Sequence, residues 1–121
     1  CGASVDFVDI DPHTYNMSLD ALSNKLITAE QKGCLPKVLV VVHLCGQPCE
    51  MKPIQRLAKQ YGFFIIEDAS HAIGGRYLDE PIGNCRYSDI TVFSFHPVKI
   101  VTTAEGGAVL TNSYKLADKI F

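Results

Sequence analysis

Two apolar runs in this chain end in side chains able to do chemistry. "FFII", residues 63–66, leads into Glu67, Asp68, Ser70 and His71, and "ITVFSFHPV", residues 90–98, presents Ser94, His96 and Lys99. If the two runs are neighbouring strands, a carboxylate, an imidazole, a hydroxyl and a primary amine converge on one rim. That set suits carbonyl chemistry, with the amine as the nucleophile and the carboxylate and imidazole holding protons. Each residue also has a plainer reading. Asp68 could cap a helix or pair with Arg76 or Arg86, His71 could be an ordinary loop histidine, and Lys99 could be a solvated surface lysine. Against the last, Lys99 lies between "FSFHPV" and "IVTT", with apolar neighbours on both sides. Asp68 directly follows an apolar strand, where an ionised group without a partner is costly.

The elements that must position these residues follow from periodicity. "VDFVDI", Val5 to Ile10, alternates apolar and acidic residues and predicts a short strand. A helix is predicted after it, capped by Ser18, with Asp20 near its positive end, a stripe of Leu19, Leu22, Leu26 and Ala29, and Gly33 as its stop. "KVLVVVHL" is apolar at every strand position, the composition of a parallel sheet covered on both faces. The second predicted helix has Pro53 in its first turn, Ile54, Leu57, Ala58 and Tyr61 on its buried side, and Gly62 after it. "FFIIEDAS", "ITVFSFH" and "GGAVLTN" are the further strands, and Ser113 caps a last helix. The alternation predicts an α/β fold with a mostly parallel sheet and helices on both faces, joined by right-handed crossovers. Ligands of such sheets bind outside the carboxyl ends of the strands, where the polar residues above fall.

Composition narrows the function classes. The chain has 121 residues, 47% hydrophobic and 20% charged, which is enough for one core and is not a disordered composition. A formal charge of −2 gives no electrostatic footprint for nucleic acid. No apolar run approaches the roughly 20 residues that span a bilayer, so no membrane partner is expected. Five cysteines, an odd number scattered among apolar positions, suit free thiols and a cytoplasmic location. His43, Cys45 and Cys49 lack a second tight ligand pair, so no metal site is expected. There is neither a GxxxxGK[ST] loop nor a GxGxxG turn between a strand and a helix. With no initiator methionine and a helical pattern still running at its end, the chain is expected to be a piece of a longer protein.

An amine, a carboxylate and a hydroxyl on one rim match the needs of pyridoxal 5′-phosphate. That cofactor takes a lysine for its aldehyde, a carboxylate for its pyridinium nitrogen and donors for its phosphate. The stretches "EDASHAIGGRY" and "YSDITVFSFHPVKIVTTAEGGAVLTN" resemble the DegT/StrS-type sugar-nucleotide aminotransferases. "VVVHLCGQPCEM" adds a likeness to the branch that serves pseudaminic acid biosynthesis. The resemblance implies the aspartate aminotransferase fold (fold type I), with residues 1–121 as part of its pyridoxal-phosphate-binding large domain, truncated at both ends. It implies that Lys99 binds the cofactor and shuttles protons, that Asp68 pairs with the pyridine nitrogen, that His71 lies against the ring and that Ser94 contacts the phosphate. The Glu105-Gly106-Gly107 turn would let the chain fold back beside the site.

The implied reaction moves an amino group from L-glutamate to the C4 keto group of a UDP-linked 4-keto-6-deoxy sugar, in a homodimer. The phosphate-binding turn and the smaller domain are expected outside residues 1–121. Relatives that act as sugar 3-dehydratases have histidine in place of the lysine, and Lys99 argues against that chemistry here. A cofactor-binding regulatory protein without turnover is the reading from a different class. The resemblance departs at Ala104, where the family usually has glycine, and at Cys45 and Cys49, where many relatives have an aromatic residue and alanine.

Overall fold

The computed structural model describes residues 2–120. Four strands, β1 (Val38–Val42), β2 (Phe64–Asp68), β5 (Ile90–Ser94) and β6 (Gly107–Leu110), form one sheet in the order β1-β2-β5-β6. The β1–β2 and β2–β5 pairs are parallel, and β6 runs antiparallel to β5. A two-residue ladder of β3 (Arg76–Tyr77) and β4 (Glu80–Pro81) sits in the loop between β2 and β5. The helices are α1 (Leu19–Gln31), α2 (Met51–Tyr61) and α3 (Tyr114–Ile120). The expected α/β class and mostly parallel sheet are therefore present.

The helices begin and end on the expected residues. The Ser18 hydroxyl accepts from the Ala21 amide at 3.2 Å at the start of α1, and Gly62 ends α2 in the left-handed conformation, φ 76°. Pro53 falls in the first turn of α2, where its missing N–H is no loss. Leu22 and Leu26 from α1, and Met51, Ile54 and Ala58 from α2, pack on Leu39, Val41 and Ile65 of the sheet. A smaller cluster joins Ala69, Ala72 and Phe93 beyond β2.

Two expectations are corrected. Val5 to Ile10 is not a strand; its one ladder contact is an isolated bridge between Ile10 and Met17. The Asp6 and Asp9 carboxylates each accept from the next backbone amide at 2.8 Å, so local bonds stand where a ladder would. Val5 and Phe7 remain exposed. The second correction concerns the helices. α1 and α2 cover the same face of the sheet, and the opposite face, carrying Val38, Val40, Val42 and Phe64, is uncovered among the described residues. An apolar strand shows what can be buried, and the cover itself must come from another element.

The segment between β5 and β6 closes on itself. The Phe95 amide donates to the Gly106 carbonyl at 2.8 Å and the Thr103 amide to the Phe95 carbonyl at 3.1 Å. Ala104 turns this loop at φ 70°, in the region where a side chain is strained by roughly 1–2 kcal/mol. Glycine there loses that strain and gains some unfolded-state entropy. Ala104→Gly is expected to raise stability by about 1 kcal/mol, read from the urea midpoint at unchanged slope.

Candidate active site

Alternation along the strands sorts the polar residues by face. β2 buries Ile65 and Glu67, leaving Phe64, Ile66 and Asp68 toward the uncovered side. β5 buries Thr91 and Phe93, leaving Val92 and Ser94 toward the same side as Asp68. Asp68 is in register with Val42 on one flank and Val92 on the other, so it stands at the carboxyl end of the central parallel strands. Asp68 and Ser94 thus share one face, two residues apart along neighbouring strands. Glu67, grouped with them on sequence, belongs to the buried face.

Lys99 and His71 meet. The chain leaves β2 through a turn, with the Ala72 amide donating to the Ala69 carbonyl at 2.8 Å, and this presents His71 outward. Beyond β5, the Lys99 amide donates to the His96 carbonyl at 2.9 Å, and the His96 Nδ1 accepts from the Val98 amide at 3.3 Å. His96 therefore holds the turn, and its own amide donates to Ser94 Oγ at 3.4 Å. Lys99 Nζ lies 3.0 Å from His71 Nε2. Among the described residues, no carboxylate lies within ion-pair distance of Lys99. The apolar neighbours Val98, Ile100 and Val101 do not enclose it; they are exposed, and Lys99 itself is half-buried.

Asp68 Oδ1 accepts from the Ser70 amide at 3.1 Å. It does not pair with either arginine. Arg86 pairs with Glu80, and Arg76 donates to the Asp79 carbonyl. A half-buried carboxylate with unused acceptor capacity, an amine held by an imidazole and a hydroxyl on the same sheet face fit the donor set that pyridoxal phosphate requires.

Beneath this surface lies a network whose roles the sequence left unassigned. Glu67 is buried, with Oε2 2.7 Å from His43 Nε2, while Oε1 accepts from Thr91 Oγ1 at 3.2 Å and from the Ser88 hydroxyl. Burial raises the Glu67 carboxyl, but the bonds from His43, Ser88 and Thr91 outweigh it and hold the group below the usual carboxylate range. His43 Nδ1 accepts from the Cys49 amide at 3.2 Å, so both ring nitrogens are engaged within the protein. Cys49 is buried too, and burial pushes its thiol up to about 11. Of the other cysteines, Cys34 and Cys45 are exposed and Cys85 is buried, while Cys1 lies outside the described residues. The signal for Glu67 was present in the strand alternation that separates it from Asp68.

The loop after β1 also reaches the site. Cys45 has φ 53° and Gly46 φ 85°, and a Cβ built on Gly46 falls 2.7 Å from the His71 carbonyl oxygen. Only glycine lets this loop pass so close behind His71.

The profile of the DegT/DnrJ/EryC1/StrS aminotransferase family matches residues 1–121, and the chain belongs to that family. It is 41% identical over 120 residues to the UDP-4-amino-4,6-dideoxy-N-acetyl-beta-L-altrosamine transaminase of Campylobacter jejuni subsp. jejuni serotype O:2, covering 98% of this chain and 30% of that protein. It is also 41% identical over 120 residues to the GDP-perosamine synthase of Caulobacter vibrioides, covering 99% of this chain and 30% of the relative. Among solved structures, Helicobacter pylori PseC, an aminotransferase involved in the biosynthesis of pseudoaminic acid, superposes with a TM-score of 0.87 at 33% identity, over 98% of this chain and 30% of that one. The chain thus spans about 30% of the length of these relatives.

Gly46→Ala is expected to move the segment carrying His71 and to destabilise the fold by about 1–3 kcal/mol, measured by denaturant unfolding. Acid stability follows from Glu67. Its folded carboxyl titrates below its unfolded value of about 4.3, so its contribution is present above that pH and is lost as pH falls toward the folded value. Glu67→Gln is expected to flatten this acid limb, measured as unfolding free energy from about pH 6 down to about pH 3.

Proposed function

We propose that residues 1–121 are part of the large domain of a pyridoxal-phosphate-dependent sugar aminotransferase. The whole protein transfers an amino group from L-glutamate to the C4 keto group of a UDP-linked 4-keto-6-deoxy-HexNAc sugar, as in pseudaminic acid biosynthesis. The observation that carries this reading is the meeting of Lys99 Nζ with His71 Nε2 at 3.0 Å, at the strand ends where Asp68 and Ser94 share the open face.

Four residues have distinct tasks. Lys99 would be the amine that holds the cofactor, and its Nζ would carry a proton to and from the substrate carbon. With no carboxylate beside it among the described residues, Lys99 is not held as half of an ion pair. His71 orients that amine and would lie against the ring of the bound cofactor. Asp68 holds the proton on the pyridine nitrogen, and Ser94 donates its hydroxyl to the phosphate. When bound, the cofactor supplies the electron sink that lets the amino-acid carbon lose its proton. Glutamate leaves as 2-oxoglutarate, and the nitrogen passes to the keto sugar.

The likeness to a GDP-perosamine synthase, at the same 41% identity, favours a second reading in which the nucleotide is GDP. Both readings keep the lysine, the cofactor and the keto-sugar acceptor. A homodimer in the cytoplasm is proposed for the whole protein. The regulatory reading has less support, because Asp68, His71, Ser94 and Lys99 are all present and a protein without turnover has no need of the lysine.

The test is a visible absorbance spectrum of the full-length protein with pyridoxal phosphate, before and after borohydride, beside Lys99→Ala. The expected result is a band that borohydride fixes covalently to Lys99 in the wild type and that is missing in the variant. Turnover of UDP-linked against GDP-linked 4-keto sugars then separates the two substrate readings. A wild-type protein without the band would sink the lysine assignment.

A further inference from the structure

We propose that Glu67 and His43 form a positioning pair that sets how Asp68 and His71 face Lys99; this rests on the reading of Asp68 and Lys99 given above. Neither side chain reaches the open face. Their influence comes from which segments they join and where.

The Glu67 carboxylate takes three donors from two other segments, one after β1 and one at the start of β5. His43 follows the last residue of β1, Ser88 precedes β5, and Thr91 lies within β5. The His43 tautomer is fixed by the chain itself. Nδ1 accepts from the Cys49 amide, so the proton sits on Nε2 and points to Glu67. A single buried anion therefore ties β1, β2 and β5 together one residue before Asp68 emerges on the other face.

Backbone bonds carry the tie to the site. The His43 amide donates to the Asp68 carbonyl at 3.1 Å, and the Ala69 amide donates to the Val92 carbonyl at 2.9 Å. These bonds set the height of Asp68 at the sheet edge. His43 also anchors Cys49, at the far end of the loop whose Gly46 abuts the His71 carbonyl. Asp68 and His71 are thus positioned from the same carboxylate, one through the strand and one through the loop.

The required property is the hydrogen-bonded link between the segments at this shape. A glutamine at position 67 keeps the shape, accepts from His43 Nε2 and can donate to the Ser88 and Thr91 hydroxyls, which rotate to suit. A leucine keeps the bulk and leaves His43, Ser88 and Thr91 without their partner. Glu67→Leu and Glu67→Gln therefore separate positioning from packing. Leu26→Ala, on the buried side of α1 and with no hydrogen bond to the network, supplies destabilisation of another origin.

The experiment uses the full-length protein loaded with pyridoxal phosphate. It reads the pH titration of the visible band, kcat and KM for glutamate, and thermal midpoint. Glu67→Leu is expected to displace the titration and lower kcat about tenfold, the scale seen when an outer partner of a metal ligand is removed, with KM little changed. Glu67→Gln is expected to restore both, and Leu26→Ala to lower the midpoint while leaving titration and kcat in place. If Glu67→Leu does not fold, Thr91→Val removes one donor to Glu67 at closely similar shape and is expected to act in the same direction. A folded Glu67→Leu or Thr91→Val with wild-type titration and kcat overturns the proposal, as does Leu26→Ala shifting the titration equally. A wild type with no visible band overturns the lysine reading as well, which distinguishes the two failures.

Discussion

A carboxylate inside a protein stays ionised only where donors replace the water it has lost, and Glu67 has an imidazole and two hydroxyls in that role. Each donor lies more than twenty residues from Glu67, His43 before it and Ser88 and Thr91 after it, so the network forms only when β1, β2 and β5 are aligned. Slipping one strand by a single residue would turn Glu67 to the open face and Asp68 inward. The register of the central sheet and the ionisation of this group therefore depend on each other. No buried polar side-chain atom among the described residues lacks a partner, which is the condition a buried charge network must meet.

The sheet's two faces have separate work. α1 and α2 bury Leu39, Val41 and Ile65 on one side, and the carboxylate network lies on that same side near the strand ends. The other side presents Asp68 and Ser94 beside valines that no helix covers among the described residues. A rigid, covered face behind and an accessible face in front is an arrangement in which a few polar groups can be held still while a ligand approaches. Lys99 arrives differently, on a loop tied at its base by Phe95, Thr103 and Gly106.

Much of this was legible from local chemistry. Caps at Ser18, Ser113 and Gly62, the tolerated Pro53 and the apolar stripes of both long helices each follow from a few neighbouring residues. Position at the carboxyl ends of predicted strands put Glu67, Asp68, Ser70, His71, Ser94, His96 and Lys99 forward, and the family resemblance chose Asp68, His71, Ser94 and Lys99 among them. The failures have equally physical causes. Val5 to Ile10 has the alternation of a strand, but a strand needs a partner, and the pattern does not contain one. The run Val38–Val42 is apolar on both sides, yet its composition could not supply the second layer of helices.

The sequence by itself determined the types of the three helices and the four main strands, the rim residues and the family likeness, because caps, periodicity and motif spacing are properties of short stretches of chain. Only the tertiary structure decided that Lys99 touches His71 and that Glu67 belongs to the opposite face from Asp68. It also decided that His43 is spent on a carboxylate and that Gly46 must be bare to pass behind His71. Those facts depend on which strands lie side by side and in what register. Hydrogen bonds between residues more than twenty positions apart fix that arrangement, and no short stretch of sequence carries the information.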